Sequence, residues 1–210
     1  MATTSGLRLF GVAELENGLA DLLPDGTTVV QHRGLGAVVE PANYSKSKLE
    51  EAELARYAAV VEETFKHTTI LPAPPGTVFE SHGTLAHWLE LHYFTLTQAM
   101  GVVEGNVAAR VSIGAGAEVK EADATKSFQA LGAEALRLFR GHAAATVVIP
   151  VTEDDGKEGV VARATFLIPS EKWEAFQSAV SQEGTRQPAL NVQLTGPWPP
   201  YDFVRMQFGG

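Results

Sequence analysis

Leu194-Thr195-Gly196-Pro197-Trp198-Pro199-Pro200-Tyr201-Asp202-Phe203-Val204 decides how the rest of the sequence is read. Pro197 to Phe203 puts three prolines and three aromatics into seven residues. Proline fixes φ at about −65° and offers no N–H, and it drives the residue before it to extended geometry. Thr195 to Tyr201 is therefore expected as a stiff, extended strap. It cannot pair continuously in a sheet, so it must lie on another surface. Trp198, Tyr201 and Phe203 are expected to pin it there, since large aromatics usually serve packing. The alternative is that they are presented to a partner. Just upstream, Leu190, Val192 and Leu194 alternate as a strand, so the strap leaves a sheet edge and crosses back over the protein.

That strand is the last of a series. Val107, Ala109, Val111 and Ile113 alternate along Asn106 to Ile113, a half-buried strand ended by Gly114-Ala115-Gly116. Asp123 is read as the cap of a helix to Arg140, with Phe128, Leu131, Ala135, Leu138 and Phe139 inward and Gly141 closing it. Ala145 to Val151 has several consecutive apolar residues and is expected as a central strand. Glu153-Asp154-Asp155-Gly156-Lys157 is a polar turn and Val160 to Ile168 the return strand. Ser170 caps a helix with Trp173, Phe176 and Val180 inward, ended by Gly184. The order β-α-β-β-α-β is the split βαβ, or ferredoxin-like, order. It predicts a four-stranded antiparallel sheet with both helices on one face.

The first half repeats the order in a degraded form. Leu7 to Val12 reads as a strand, and Glu14 to Leu23 as a short helix stopped by Pro24-Asp25-Gly26. Thr27 to His32 and Leu35 to Glu40 form a hairpin through Arg33-Gly34, broken at Pro41. Ser47 to His67 is a helix facing inward with Leu54, Tyr57, Ala58, Val61 and Phe65. Its glutamates make a solvated surface. Ile70-Leu71 and Thr77-Val78-Phe79 flank Pro72-Ala73-Pro74-Pro75-Gly76, a broken last strand. Ser81 or Thr84 then caps a helix to Met100. Leu85, Trp88, Leu89, Leu96, Ala99 and Met100 share one stripe, while Leu91 and Phe94 lie on other faces. A helix apolar nearly all round is expected to be internal. The fold class is α+β: two ferredoxin-like (βαββαβ-type) halves joined by a central helix, with a C-terminal proline and aromatic strap. The expected domains are 1–80, a linking helix 81–101, and 102–210.

Composition narrows the function. The chain has 210 residues, a formal net charge of −9 and no cysteine. The charge argues against nucleic acid and anionic membranes, which need clustered Lys and Arg. The absence of cysteine excludes disulfides, thiol catalysis and cysteine-held metals. Met1 to Gly6 shows no secretory signal, and no apolar run is long enough to span a membrane. No phosphate loop, dinucleotide fingerprint, zinc-protease or nucleophile-elbow motif occurs. His82, His87 and His92 recur every five residues. That spacing turns each about 140° from the last, whereas helical metal pairs need i,i+3 or i,i+4. No metal, cofactor or catalytic residue is expected. An enzyme or ligand-binding alternative rests on His87, His92 and Arg110 converging near the linking helix.

Asn191 to Val204, through Leu194-Thr195-Gly196-Pro197-Trp198-Pro199-Pro200-Tyr201-Asp202-Phe203-Val204, resembles the C-terminal signature of the GvpF/GvpL family of gas vesicle proteins. Leu9-Phe10-Gly11-Val12 resembles the family's opening strand. Ile70-Leu71-Pro72 and Gly76-Thr77-Val78-Phe79 resemble its central segment, and Ala162 to Phe176 resembles the stretch before the signature. One departure stands out: Pro74-Pro75 occupies the place of the family's Arg-Phe pair. The resemblance implies a two-domain α+β protein without enzyme activity, a minor component or assembly factor of a gas-filled protein shell. It implies a cytoplasmic location with gas vesicles, and contact with the small hydrophobic shell subunit and other accessory gas vesicle proteins. Two surfaces are candidates for that contact: the strap through Trp198, Tyr201 and Phe203, and an interdomain groove around Pro72 to Phe79, including Val78 and Phe79, and the linking helix. A family member recruited to another assembly is the remaining alternative.

Overall fold

The computed structural model describes residues 5–44, 49–115, 124–157 and 159–204. The expected helix start at Ser47, the expected cap at Asp123, and Gly116 lie outside the described residues. The chain divides into two compact units. One runs to Glu104 and also takes in the chain from Pro199 onward; the other is Gly105–Trp198.

The first unit contains β1 (Ser5–Glu14), α1 (Leu19–Leu22), β2 (Thr28–His32), β3 (Leu35–Asn43), α2 (Glu51–His67), β4 (Ile70–Pro72), β5 (Val78–Phe79) and α3 (His82–Val103). Its antiparallel sheet has the order β2-β3-β1-β4, with β5 also on β1. β4 and β5 meet successive parts of β1: Ile70 lies opposite Ala13 and Pro72 opposite Gly11, then Val78 opposite Arg8 and Phe79 opposite Leu7. They are one edge strand interrupted at Ala73 to Thr77. Pro74 and Pro75 have no N–H to give a ladder, which is why it breaks there. Gly11 marks a slip in the β1 register. A Cβ at this position would lie 2.7 Å from the Leu71 carbonyl oxygen, so only glycine lets the edge strand come this close.

Pro41 does not end the hairpin strand. β3 continues to Asn43 and pairs Pro41 with Leu7 of β1. β2 has already stopped at the Thr28–Val39 pair, so Pro41 faces no donor-requiring neighbour on its other side, the situation in which a strand tolerates proline.

The sheet is covered on both faces. Phe10, Ala13, Val38 and Ile70 pack against Tyr57, Val60 and Val61 of α2. Leu9, Val12, Val39 and Leu71 pack against Leu85, Trp88, Leu89, Leu96 and Met100 of α3. The inner face of α2 is rotated from the expected one: Leu54 is exposed, and Val60 and Thr64 are buried. Thr64 can be buried because its hydroxyl donates to the Val60 carbonyl at 2.8 Å. Arg8 bridges Glu40 (3.0 Å) and Glu53, and Arg56 also meets Glu40 (3.2 Å), tying α2 to the sheet.

The tail after Trp198 belongs to this unit. Pro199 and Pro200 are buried. Tyr201 joins the α2-side core, its ring 6.3 Å from that of Tyr57, while Phe203 and Val204 pack against the α3-side core. Tyr57 Oη donates to the Ala73 carbonyl at 2.5 Å, inside the break of the edge strand. Burial holds both phenols well above the ordinary tyrosine range. The folded state thus keeps protons that the unfolded chain releases from about pH 10 upward. The resulting stability is complete below that pH and is lost as pH rises beyond it. Tyr57→Phe should cost about 1–2 kcal/mol at neutral pH for the lost hydrogen bond. It should also flatten the alkaline fall in Tm. A wild-type Tm independent of pH between neutrality and strong alkali would contradict this.

The second unit contains β6 (Asn106–Ala115), α4 (Ala124–Arg140), β7 (Ala145–Val148), α5 (Glu153–Lys157), β8 (Val160–Pro169), α6 (Trp173–Arg186) and β9 (Leu190–Trp198). Its antiparallel sheet has the order β7-β8-β6-β9. α4 and α6 share one core with Val111, Ile113, Ala164, Phe166 and Ile168. Four expectations are corrected. β7 is outermost rather than central and stops at Val148, which is 69% exposed. Leu138 is exposed and Leu136 buried on α4. The acidic turn is the short helix α5. α6 passes through Gly184 to Arg186, whose guanidinium holds the buried Glu183 through two bonds of 2.7 Å. β9 pairs Thr195 with Arg110 and Trp198 with Ala108, and slips register between them at Gly196-Pro197. Trp198 is 39% exposed.

Candidate partner-binding groove

Only Glu80 and Ser81 separate β5 from α3. Ser81 caps the helix: its Oγ accepts from Thr84 N at 3.2 Å, and its own N–H donates to Thr84 Oγ1 at 3.0 Å. This reciprocal box fixes the angle at which the chain turns from strand to helix. The angle opens a groove of about 500 Å³ between the two, lined by Tyr44, Val78, Phe79, Trp88, Leu91 and His92 among others. Phe79 and Trp88 meet at 5.6 Å with their planes 58° apart. His92 stacks on Trp88 at 4.9 Å, and its Nδ1 lies 3.0 Å from the Trp88 carbonyl oxygen. The floor is therefore a fixed aromatic surface.

α3 extends that surface outward. Leu91, Phe94 and Val102 are 66%, 71% and 58% exposed. At 3.6 residues per turn they fall, with Gln98, on one stripe. The expectation that α3 is buried on both sides is overturned: one stripe meets the sheet and the other faces out. Periodicity identified the inward stripe and set Leu91 and Phe94 off it, but did not join them with Val102 into a second stripe.

The other singled-out residues are placed as follows. Val78 and Phe79 line the groove. Tyr201 and Phe203 pack into the first unit, and Trp198 ends β9 in the second. His87 lies at the groove rim, 3.8 Å from Glu90. Arg110 is not among the residues lining the groove. Among the described residues no group of three His, Asp or Glu is arranged to hold a metal ion, and no helix is long and apolar enough to cross a membrane.

Two crystal structures share this arrangement of mixed helix and two antiparallel sheets. The crystal structure of GvpF from Anabaena sp. PCC7120 superposes with a TM-score of 0.78 at 16% identity, covering 98% of each chain. GvpF from Microcystis aeruginosa gives 0.72 at 16% identity over 96% of this chain and 99% of that one. The chain belongs to the gas vesicle synthesis protein GvpL/GvpF family, whose model matches residues 9–130 and 115–205. Gas vesicle protein F1 of Halobacterium salinarum is 26% identical over 214 residues, 98% of this chain and 96% of that protein. Gas vesicle protein F of Haloferax mediterranei is 25% identical over 217 residues, with 98% and 96% covered. Family membership makes this a gas vesicle accessory protein.

Proposed function

We propose that the protein is a minor component or assembly factor that holds the small hydrophobic shell subunit, alongside other accessory gas vesicle proteins, in association with gas vesicles in the cytoplasm. Both units are read as ferredoxin-like scaffolds, the first with its last strand broken. The observation that carries the proposal is the open stripe Leu91, Phe94 and Val102 beside the aromatic floor of Val78, Phe79 and Trp88. An apolar helix laid in an apolar groove is a recurrent way to hold a chain that would otherwise aggregate. On this reading Val78 and Phe79 touch the partner, whereas Tyr201 and Phe203 hold the tail in place.

The test is capture of detergent-solubilised shell subunit, from the same gene cluster, by the immobilised protein. Leu91→Asp with Phe94→Asp should reduce capture by about tenfold or more, since two charges would be buried without partners. Both positions are exposed, so Tm should stay within about a degree or two of the parent. Undiminished capture by the double variant would remove the groove as the contact. No capture by the parent protein would remove the shell-holding role itself.

A further inference from the structure

The second unit carries a groove of its own, about 400 Å³, between β7 and the last turns of α4. Its floor is apolar, including Leu136, Val148, Ile149 and Val161. Its rim holds Arg137, Arg140 and Arg163, a cationic cluster in a chain of net charge −9. Arg163 is engaged: it meets Asp155 Oδ1 at 2.7 Å, and its Nε donates to Ser112 Oγ at 3.1 Å. Arg137 and Arg140 are exposed. Neither joins an ion pair with another described residue.

Complementing the carbonyl end of α4 would account for these two arginines alone. It does not account for what lies beside them. β7 is the outermost strand of its sheet, so among the described residues one side of its backbone has no strand partner. Thr146, on that strand, lines the groove, and its Oγ1 is buried with no hydrogen-bond partner among the described residues. A buried hydroxyl left unpaired costs about 1–3 kcal/mol, a cost that an incoming acceptor would relieve. Val148 next to it is 69% exposed.

We propose that this groove docks an extended acidic segment of a partner protein, laid along β7 as an added strand. The segment's backbone pairs with the open edge of β7. Successive side chains point to opposite faces of the sheet, and those on the α4 side bring carboxylates to Arg137 and Arg140, where forked pairing is available. The net charge of −9 disfavours an acidic chain on the surface at large, so the two arginines set where it lands. The site lies on a different unit from the shell-subunit contact, and its test does not depend on that contact.

The experiment is fluorescence anisotropy of the full chain with a short dye-labelled peptide of alternating glutamate and valine, against a lysine and valine counterpart. The glutamate peptide should bind, weaken as salt is raised, and outcompete the lysine peptide. Arg137→Glu with Arg140→Glu should weaken it by about tenfold or more, and the milder Arg137→Gln with Arg140→Gln by less, with circular dichroism unchanged. Three results would overturn the proposal: no binding of the glutamate peptide, equal binding of the lysine peptide, or undiminished binding by both double variants. Self-association that Val148→Asp abolishes and the glutamate peptide cannot displace would assign the edge to a second copy instead.

Discussion

Phe176→Ala should lower the stability of the second unit by about 3–5 kcal/mol, the range for a fully buried phenylalanine cut to a methyl group. Phe176 has no exposed surface. Its ring lies 5.5 Å from Phe166, 6.1 Å from Phe139 and 6.4 Å from Trp173. These rings come from β8, α4 and α6, so the residue joins both helices to the sheet. Neighbours held by three separate elements cannot all move into the vacated space, which puts the cost towards the upper end. Hydrogen exchange locates the effect. Amides of β6 and β8 should exchange faster by the factor that the lost stability dictates, while those pairing β1 with β3 in the first unit should change little. A loss below about 1 kcal/mol would mean that the cluster collapses easily around the gap.

Local rules carried the reading of most elements, and long-range pairing decided the rest. Turn residues such as Pro24-Asp25-Gly26 and alternating runs such as Val107 to Ile113 state their geometry within a few residues. The rank of β7 in its sheet does not follow from its own residues. A run with several consecutive apolar residues looks central, but which strand ends up outermost depends on partners far along the chain. Pro41 was misleading for the same reason: proline breaks a ladder only where a neighbour needs its N–H, and β2 stops short of it. On α4, Leu136 and Leu138 both border the inner face, and only packing against the sheet selects Leu136. Half of the first groove was legible, because Val78 and Phe79 lie in a recognisable segment. Its outer wall was not, because periodicity only sets Leu91 and Phe94 off the main stripe and does not show that they form a face that stays open. The arginine groove was hidden altogether: its rim is assembled from α4 and β8, which are far apart in sequence.

The proline and aromatic stretch offers the other large effect, through its glycine. Gly196→Ala should destabilise the protein by at least about 2 kcal/mol, because the new side chain would be held in a backbone region that only glycine adopts freely. The φ of Gly196 is 130°, and an added Cβ would lie 2.8 Å from the Ala108 carbonyl oxygen and 3.2 Å from the Trp173 ring. A backbone oxygen within a paired strand cannot yield cheaply, so β9 must move instead. That movement reaches the tail: Pro199 and Pro200 follow within four residues, and Tyr201 and Phe203 depend on them to reach the two cores of the first unit. Gly196→Ala should therefore lower Tm and also speed chymotryptic clipping after Tyr201 and Phe203. Gly101→Ala is the opposing control. It lies inside α3 with open space around it, so it should stabilise by about 0.5–1 kcal/mol. If Gly196→Ala left both Tm and clipping unchanged, β9 would be free to shift, and the stretch would owe its rigidity to the prolines alone.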